Sequence, residues 1–310
     1  MKILKPKFWD KRLSFFPVLL MPLSVIFRFF VFLKRNFSKV LKFDLHIICV
    51  GNIYVGGTGK TPLSILISQE LQKIGKNPII VKKFYKNHFD EHKLIRKYFK
   101  NLYLHKNRSF AINEAKINGF QTVILDDGFQ EYRIKTDLNI LCFNSNQLIG
   151  NGYTFPSGPL RESINSVRYA KIVVINGEKK EVFEKKLLQI NKNLNIFYSN
   201  YEPINIDEFR NKDVFALAGI GNPDNFFELL TKKNVNVIKK LIYPDHYMLS
   251  KEELLNIIKD SKLKNCTVVM TEKDYFRIKD YNLENIYYLK LGLKINEKAK
   301  FINQILKIYD

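Results

Sequence analysis

Gly59-Lys60-Thr61 ends the stretch Val50-Gly-Asn-Ile-Tyr-Val-Gly-Gly-Thr-Gly-Lys-Thr-Pro62. Residue types in this order suit the binding of linked phosphates. Glycines let backbone N–H groups close around phosphate oxygens, and a helix N-terminus behind them adds a favourable dipole. Lys60 is placed to reach the β- and γ-phosphates of a nucleotide, and Thr61 a magnesium ion. The phosphate-loop pattern G-x-x-x-x-G-K-[ST] asks for glycine at its first position, where this chain has Tyr54, so Gly56 and Gly57 must supply the flexibility instead. Tyr54, Val55, Gly56, Gly57, Thr58, Gly59, Lys60 and Thr61 are the expected nucleotide contacts. The bland alternative is an ordinary glycine-rich turn. Gly-Lys-Thr in register after a strand weighs against it.

Such a loop needs a second magnesium ligand at the end of a neighbouring strand. The stretch Thr122-Val-Ile-Leu-Asp-Asp-Gly-Phe-Gln130 offers Asp126 and Asp127 just after a short apolar run. That is where ligands bind in open α/β sheets, and adjacent carboxylates suit a hard cation. Asp-Gly is also common turn chemistry. Downstream of a phosphate loop the metal reading prevails, with Thr61, Asp126 and Asp127 as its ligands.

The elements that would hold these groups alternate. Residues 45–50 form an apolar run that reads as a buried strand, and Pro62 followed by Leu63, Ile65, Leu66 and Leu71 reads as the start of a helix. Further strands are expected at 78–81, 102–104, 123–125, 138–143 and 171–175, with helices between, such as 109–118 closed by Gly119. Residues 193–207 read as an extended connection. Strands at 214–217, 236–242, 267–270 and 286–291 follow, with a helix at Asn222-Pro223, another opened by the capping box Ser250-Lys-Glu-Glu253, and a last one at the C-terminus. The predicted fold is α/β: two α/β/α lobes, the first a doubly wound, mostly parallel sheet. The expected divisions are 1–43, an N-terminal hydrophobic helix; 44–195, the nucleotide-binding lobe; and 196–310, a second lobe, with the nucleotide in the cleft between lobes.

The chain has 310 residues, enough for two lobes with real cores, and 46% hydrophobic content excludes a disordered chain. Its net charge of +21 points to an anionic partner. No zinc-finger or RNA-recognition signature is present, so nucleic acid is not expected. Cys49, Cys142 and Cys266 lie in apolar runs and read as reduced core residues. Residues 13–33 are almost wholly apolar, with Lys and Arg on both flanks and Arg28 inside. A span needs about 20 apolar residues, and a mid-membrane arginine costs about 2.5 kcal/mol or more. With a cytoplasmic nucleotide site close behind, a helix lying in an anionic membrane surface is the better reading. A helix packed on the protein's own core and a true span are the alternatives.

Several blocks together resemble one family, the tetraacyldisaccharide 4'-kinases of lipid A synthesis. They are Gly51-Asn52, Val55-Gly-Gly-Thr-Gly-Lys-Thr-Pro62, Asp126-Asp-Gly-Phe-Gln130, Pro156-Ser-Gly-Pro-Leu-Arg-Glu162, Ala218-Gly-Ile-Gly-Asn-Pro223, Tyr243-Pro-Asp-His246 and Thr271-Glu-Lys-Asp274. The resemblance implies a lipid kinase using ATP and Mg²⁺, a P-loop fold, and an acylated disaccharide 1-phosphate as substrate at the cytoplasmic face of the inner membrane. No obligatory protein partner is evident. The resemblance also implies that Asp90 is the catalytic base, working with His246, and that Arg161 and Glu162 lie near the sugar head group. The chain departs from the family at Val81-Lys-Lys-Phe-Tyr-Lys-Asn87, where a Ser-Arg-Gly-Tyr-Gly-like stretch is usual. His88 and His92, taken alone, read as solvated. Thr271-Glu-Lys-Asp274 comes close to a guanine-reading element, and the role of Glu272, Lys273 and Asp274 is open. A non-kinase P-loop NTPase, such as a metal-insertion GTPase or partition-type ATPase, and a membrane-tethering protein are the rival classes.

Overall fold

The structure is a computed structural model that describes residues 6–10, 15–85, 89–245 and 247–310, without the side chains of Lys7, Asp10 and Asp90. Its contacts divide the chain into two compact units.

Among the described residues, the larger unit holds 6–84, 99–200 and 293–310. Its sheet has eight strands in the order β12-β7-β6-β5-β1-β4-β2-β3. These are β1 (His46–Gly51), β2 (Pro78–Lys83), β3 (Leu102–His105), β4 (Thr122–Asp126), β5 (Leu138–Asn144), β6 (Ile172–Asn176), β7 (Asn195–Pro203) and β12 (Leu291–Ile295). The pairs from β3 through β7 are parallel. Helices α2 (Lys60–Lys73), α4 (Arg108–Ile117) and α5 (Glu181–Ile190) connect them. Strands buried on both faces read as continuous apolar runs, and every residue of β4 and of β6 is buried. The strand expectations at 78–81, 102–104, 123–125, 138–143 and 171–175 all correspond to observed strands, each longer or shifted by one or two residues. Residues 193–207, read as a connection, are mostly β7. Its polar Asn, Ser and Glu residues hid a strand that lies next to the edge strand β12 and is only partly buried.

The smaller unit holds 85–98 and 201–292. Its four strands run parallel in the order β11-β10-β8-β9, with β8 Asp213–Ala218, β9 Asn236–Ile242, β10 Thr267–Thr271 and β11 Ile286–Leu289. Helices α3 (Phe89–Tyr98), α6 (Pro223–Lys232), α7 (Lys251–Leu263) and α8 (Glu272–Ile278) accompany them. The Ser250–Glu253 capping box is formed in both directions. Asn222 stands at the N-cap with Pro223 next, but its side chain makes no cap hydrogen bond. The run expected as one strand at 286–291 breaks into β11 and β12, which enter different sheets.

Two segments lie with the opposite unit from the one the sequence suggests. Residues 85–98 join the smaller unit because α3 packs on α8. Residues 293–310 join the larger one through helix α9 (Lys298–Leu306), whose Phe301 ring meets that of Phe197 at 5.3 Å, and through the Tyr309 hydroxyl, 2.7 Å from that of Thr122. His92 is also not solvated. It is 4% exposed and lies one helical turn from the buried Ile95 on α3.

Helix α1 (Phe15–Phe37) carries the apolar N-terminal run and is long and apolar enough to cross a bilayer. Only Pro17 and Ser24 are buried. The packed-core alternative is therefore not what this helix does: Phe29, Phe30, Val25 and Ile26 are all exposed. Polar and aromatic contacts attach it to the larger unit, the Phe27 ring lying 5.8 Å from that of Phe155. Ser24 Oγ accepts from Ser157 N (3.0 Å) and lies 2.9 Å from Thr154 O, to which it donates. Just before it, Trp9 Nε1 donates to Pro156 O (3.1 Å).

Candidate functional site

The loop 52–59 leaves β1 at Gly51 and enters α2 at Lys60. Gly59 takes φ +89° at the helix N-cap, a conformation that L side chains rarely adopt. Gly51 is fixed by space: a Cβ there would meet Phe129 Cβ at 2.5 Å. The loop is braced from inside by Asn52, whose Nδ2 donates to Thr58 Oγ1 (3.0 Å) and Gly56 O (3.3 Å). It is braced from outside by Val55 N donating to Pro159 O (2.8 Å). Tyr54, at the position where the pattern asks for glycine, is buried and bridges to Leu160.

Helix α2 and strand β4 bring Thr61 and Asp126 together. Thr61 Oγ1 donates to Asp126 Oδ2 (2.9 Å), and Ser64 Oγ donates to Asp126 Oδ1 (3.2 Å). Asp127, next along the chain, takes φ +55° and has other partners. Lys60 Nζ lies 3.6 Å from Asp127 Oδ1. Arg161 Nη1 lies 3.0 and 3.1 Å from its two oxygens. Burial opposes ionisation of Asp127, but the charges of Lys60, Arg161 and Lys82 outweigh it and hold the carboxyl well below the usual carboxylate range. Lys60, Thr61, Asp126, Asp127 and Arg161 thus converge beyond the C-terminal ends of β1 and β4. The donor set suits magnesium, which favours one or two carboxylates and completes its shell with water and phosphate oxygens. No cluster of three acidic, His or Cys groups is needed, and none is found among the described residues.

Glu162 takes a different place from the one expected. It is 2% exposed and accepts from Gln130 Nε2 (3.0 Å) and Ser166 Oγ (2.8 Å) while pairing with Arg35 of α1. Gln130 Nε2 also donates to Asn52 O (2.9 Å). Arg35 is stacked among aromatic rings, 4.1 Å from that of Tyr169 and 4.4 Å from that of Tyr132. Glu162 therefore ties α1 to the phosphate loop through a buried polar chain.

Three site residues escaped the sequence reading. Lys82 pairs with Asp126. Arg108 Nη2 donates to the carbonyls of Asp126 (3.2 Å) and Asp127 (2.8 Å), fixing the acidic turn. Asn52 shapes the loop. Lys82 alone left a signal, a charged residue near the end of an otherwise apolar strand.

In the smaller unit, His246 and the side chain of Asp90 lie outside the described residues. Their neighbours are joined: Lys273 Nζ is 3.2 Å from Glu91 Oε1 and 3.3 Å from Asp245 Oδ1. Glu272 accepts from Lys97 Nζ (2.6 Å) and Tyr98 OH (2.8 Å). Asp274 Oδ2 accepts from Thr271 Oγ1 (2.6 Å) and Gly219 N (2.9 Å), and Oδ1 pairs with Arg277. Cys49, Cys142 and Cys266 are buried and unpaired with one another, and burial pushes the Cys49 and Cys142 thiols up to about 12.

A family model described as tetraacyldisaccharide-1-P 4'-kinase matches residues 16–310. A tetraacyldisaccharide 4'-kinase of Pelagibacter ubique is 42% identical over 99% of both chains. One from Rickettsia conorii is 32% identical, again over 99% of both. The crystal structure of the "apo" form of LpxK from Aquifex aeolicus in complex with ATP matches with a TM-score of 0.73, covering 96% of this chain and 100% of that one at 23% identity, and so shares the fold. A family model spanning nearly the whole length, with relatives alike from end to end, makes this chain a member of the tetraacyldisaccharide-1-P 4'-kinase family.

Proposed function

We propose that the chain transfers the γ-phosphate of ATP to the 4'-hydroxyl of a tetraacyl glucosamine disaccharide 1-phosphate, a step of lipid A synthesis. The observation that carries this reading is the gathering of Lys60, Thr61, Asp126, Asp127 and Arg161 around a phosphate loop, in a chain of this family.

Phosphoryl transfer asks mainly for positioning and charge neutralisation. The N–H groups of residues 54–61 cradle the phosphates of ATP. Lys60 and Arg161, now spanned by Asp127, turn their charge to phosphate oxygens. Thr61 and Asp126, with Asp127 beside them, would hold Mg²⁺, which would supply positive charge against that of the phosphates. Asp90 accepts the proton of the sugar hydroxyl, and His246 orients or shares it. Lys273 positions both by holding Glu91 and Asp245. Glu162 positions the loop rather than touching the sugar, because its oxygens are already engaged. Helix α1 lies in the surface of an anionic membrane at its cytoplasmic face, with the aromatic side chains in lipid and Lys34, Lys39 and Lys42 toward head groups.

The guanine-reading alternative is disfavoured by Asp274. An Asp that reads guanine must keep its carboxylate oxygens free for the base, and both are taken by Thr271, Gly219 and Arg277. The test is an incubation with γ-labelled ATP or GTP and the disaccharide 1-phosphate. Label in the lipid with ATP only is expected. Equal labelling with GTP, or hydrolysis with no label in lipid, would sink the proposal.

A further inference from the structure

Lys82 stands where a metal ion has its claim. It is the fifth residue of β2, and the sheet register sets it directly opposite Asp126 of β4. Its side chain is 6% exposed and that of Asp126 is fully buried. The ammonium pairs with Asp126 Oδ2 and lies 3.4 Å from Thr61 Oγ1. Thr61 donates to the same Oδ2, and Ser64 donates to Oδ1. The hydroxyl and carboxylate proposed for magnesium are therefore the same two groups that hold Lys82.

A buried carboxylate with no counter-charge is strongly unfavourable, so a cation beside Asp126 offsets its charge and holds it aimed when no metal is present. The same cation resists the arrival of a second. Two positive centres drawing on one carboxylate repel over a few ångströms of poorly screened space. The repulsion is relieved only when more negative charge enters, and nucleotide phosphates are the group the adjacent loop is built to receive. Resting on the proposed function, we infer that Lys82 is a positioning residue that acts as the internal counter-ion of Asp126. It makes divalent-metal binding conditional on nucleotide: metal alone binds poorly, and metal with nucleotide binds well.

Binding of Mn²⁺, followed by its paramagnetic resonance signal, tests this without turnover. The full chain is titrated alone and with a non-hydrolysable ATP analogue. The native chain is expected to bind Mn²⁺ at least about tenfold more tightly with the analogue than without it. In Lys82→Met or Lys82→Gln, Mn²⁺ without nucleotide should bind about tenfold or more tightly than in the native chain, and Mg²⁺ alone should raise Tm, whereas it should leave the native Tm unchanged. The double variant Lys82→Met/Asp126→Asn should lose that gain. Native protein that binds Mn²⁺ tightly with no nucleotide overturns the inference, and so does a folded Lys82 variant whose metal affinity is unchanged or weaker. A native chain that binds neither the analogue nor its Mn²⁺ complex would overturn the proposed function as well.

Discussion

Arg161 holds both oxygens of Asp127 through one nitrogen, Nη1, at 3.0 and 3.1 Å. With Lys60 on the same carboxylate, this keeps Asp127 ionised far into acid. A group whose folded pKa is depressed stabilises the protein above its unfolded value, about 3.9 for Asp, and loses that contribution as pH falls through and below it. The Tm difference between the native chain and Asp127→Asn should therefore be flat from about pH 5 to 8 and shrink below about pH 4. Thermal melts across that range check it. A difference that changes steeply near neutrality would mean that Asp127 is not held by these charges.

Lys60→Ala and Thr61→Ala should each lower phosphate transfer by about 10²-fold or more, since each removes a group aimed at phosphate or metal. Neither side chain is part of the apolar core, so circular dichroism should stay native. Near-normal turnover by Lys60→Ala would remove the phosphate-loop reading.

Asp274 is expected to matter for stability and not for base choice. Removing one partner of a buried ion pair costs about 3–5 kcal/mol. Asp274→Ala should lower the melting temperature of the smaller unit by roughly 10 °C or more, while the ratio of ATP to GTP turnover stays as in the native chain. A shift of that ratio toward other nucleotides would revive the guanine-reading alternative.

The exposed rings of α1 are predicted to carry membrane binding. Phe29, Phe30 and Phe32 are 56%, 63% and 57% exposed. Burying a Phe side chain contributes about 1.5–3 kcal/mol. Replacing all three by Ser should cut partitioning onto anionic vesicles by roughly a hundredfold or more, with Tm unchanged. Co-sedimentation measures it. Undiminished binding would place the attachment in the basic surface instead.

Asp90→Ala and His246→Ala should each reduce kcat by about 10²–10⁴-fold and alter the KM for ATP little. The double variant should be little worse than either single one, because members of one catalytic unit are not additive. Lys273→Met, which removes the ammonium that joins Glu91 to Asp245, should reduce kcat less than either and leave the KM for ATP alone. Steady-state kinetics decide. If Glu91→Ala is crippled while Asp90→Ala is active, the base is one residue further along.

The parts of the site that follow local rules were readable in the sequence. Gly59, Lys60 and Thr61 mark their own turn, and Asp126 and Asp127 end an apolar strand. The parts that depend on register were not. Lys82 acquires its meaning only because β2 lies beside β4 with Lys82 opposite Asp126, a neighbour 44 residues away. Arg108 opens a helix, where nothing local signals that it will cap the carbonyls of the acidic turn. Glu162 was expected near the sugar head group only through the family resemblance, which carries no word of its burial. Its burial is imposed by α1, whose Arg35 is 127 positions distant. The polar composition of β7 concealed a strand, and the apolar continuity of 286–291 concealed a break between two sheets.

The order in which the two units can be completed runs against the order in which they begin. The larger unit starts first along the chain, yet it needs residues 293–310, down to the hydroxyl of Tyr309 on Thr122. Among the described residues, the smaller unit starts at residue 85 and has all its parts by residue 292. On a chain made from the N-terminus, the smaller unit is therefore the first that can close. Until the final helix arrives, the nucleotide-binding sheet waits with the Thr122 end of β4 uncovered by Tyr309. A stalled or truncated ribosomal product would carry a finished smaller unit beside an unfinished phosphate-binding one.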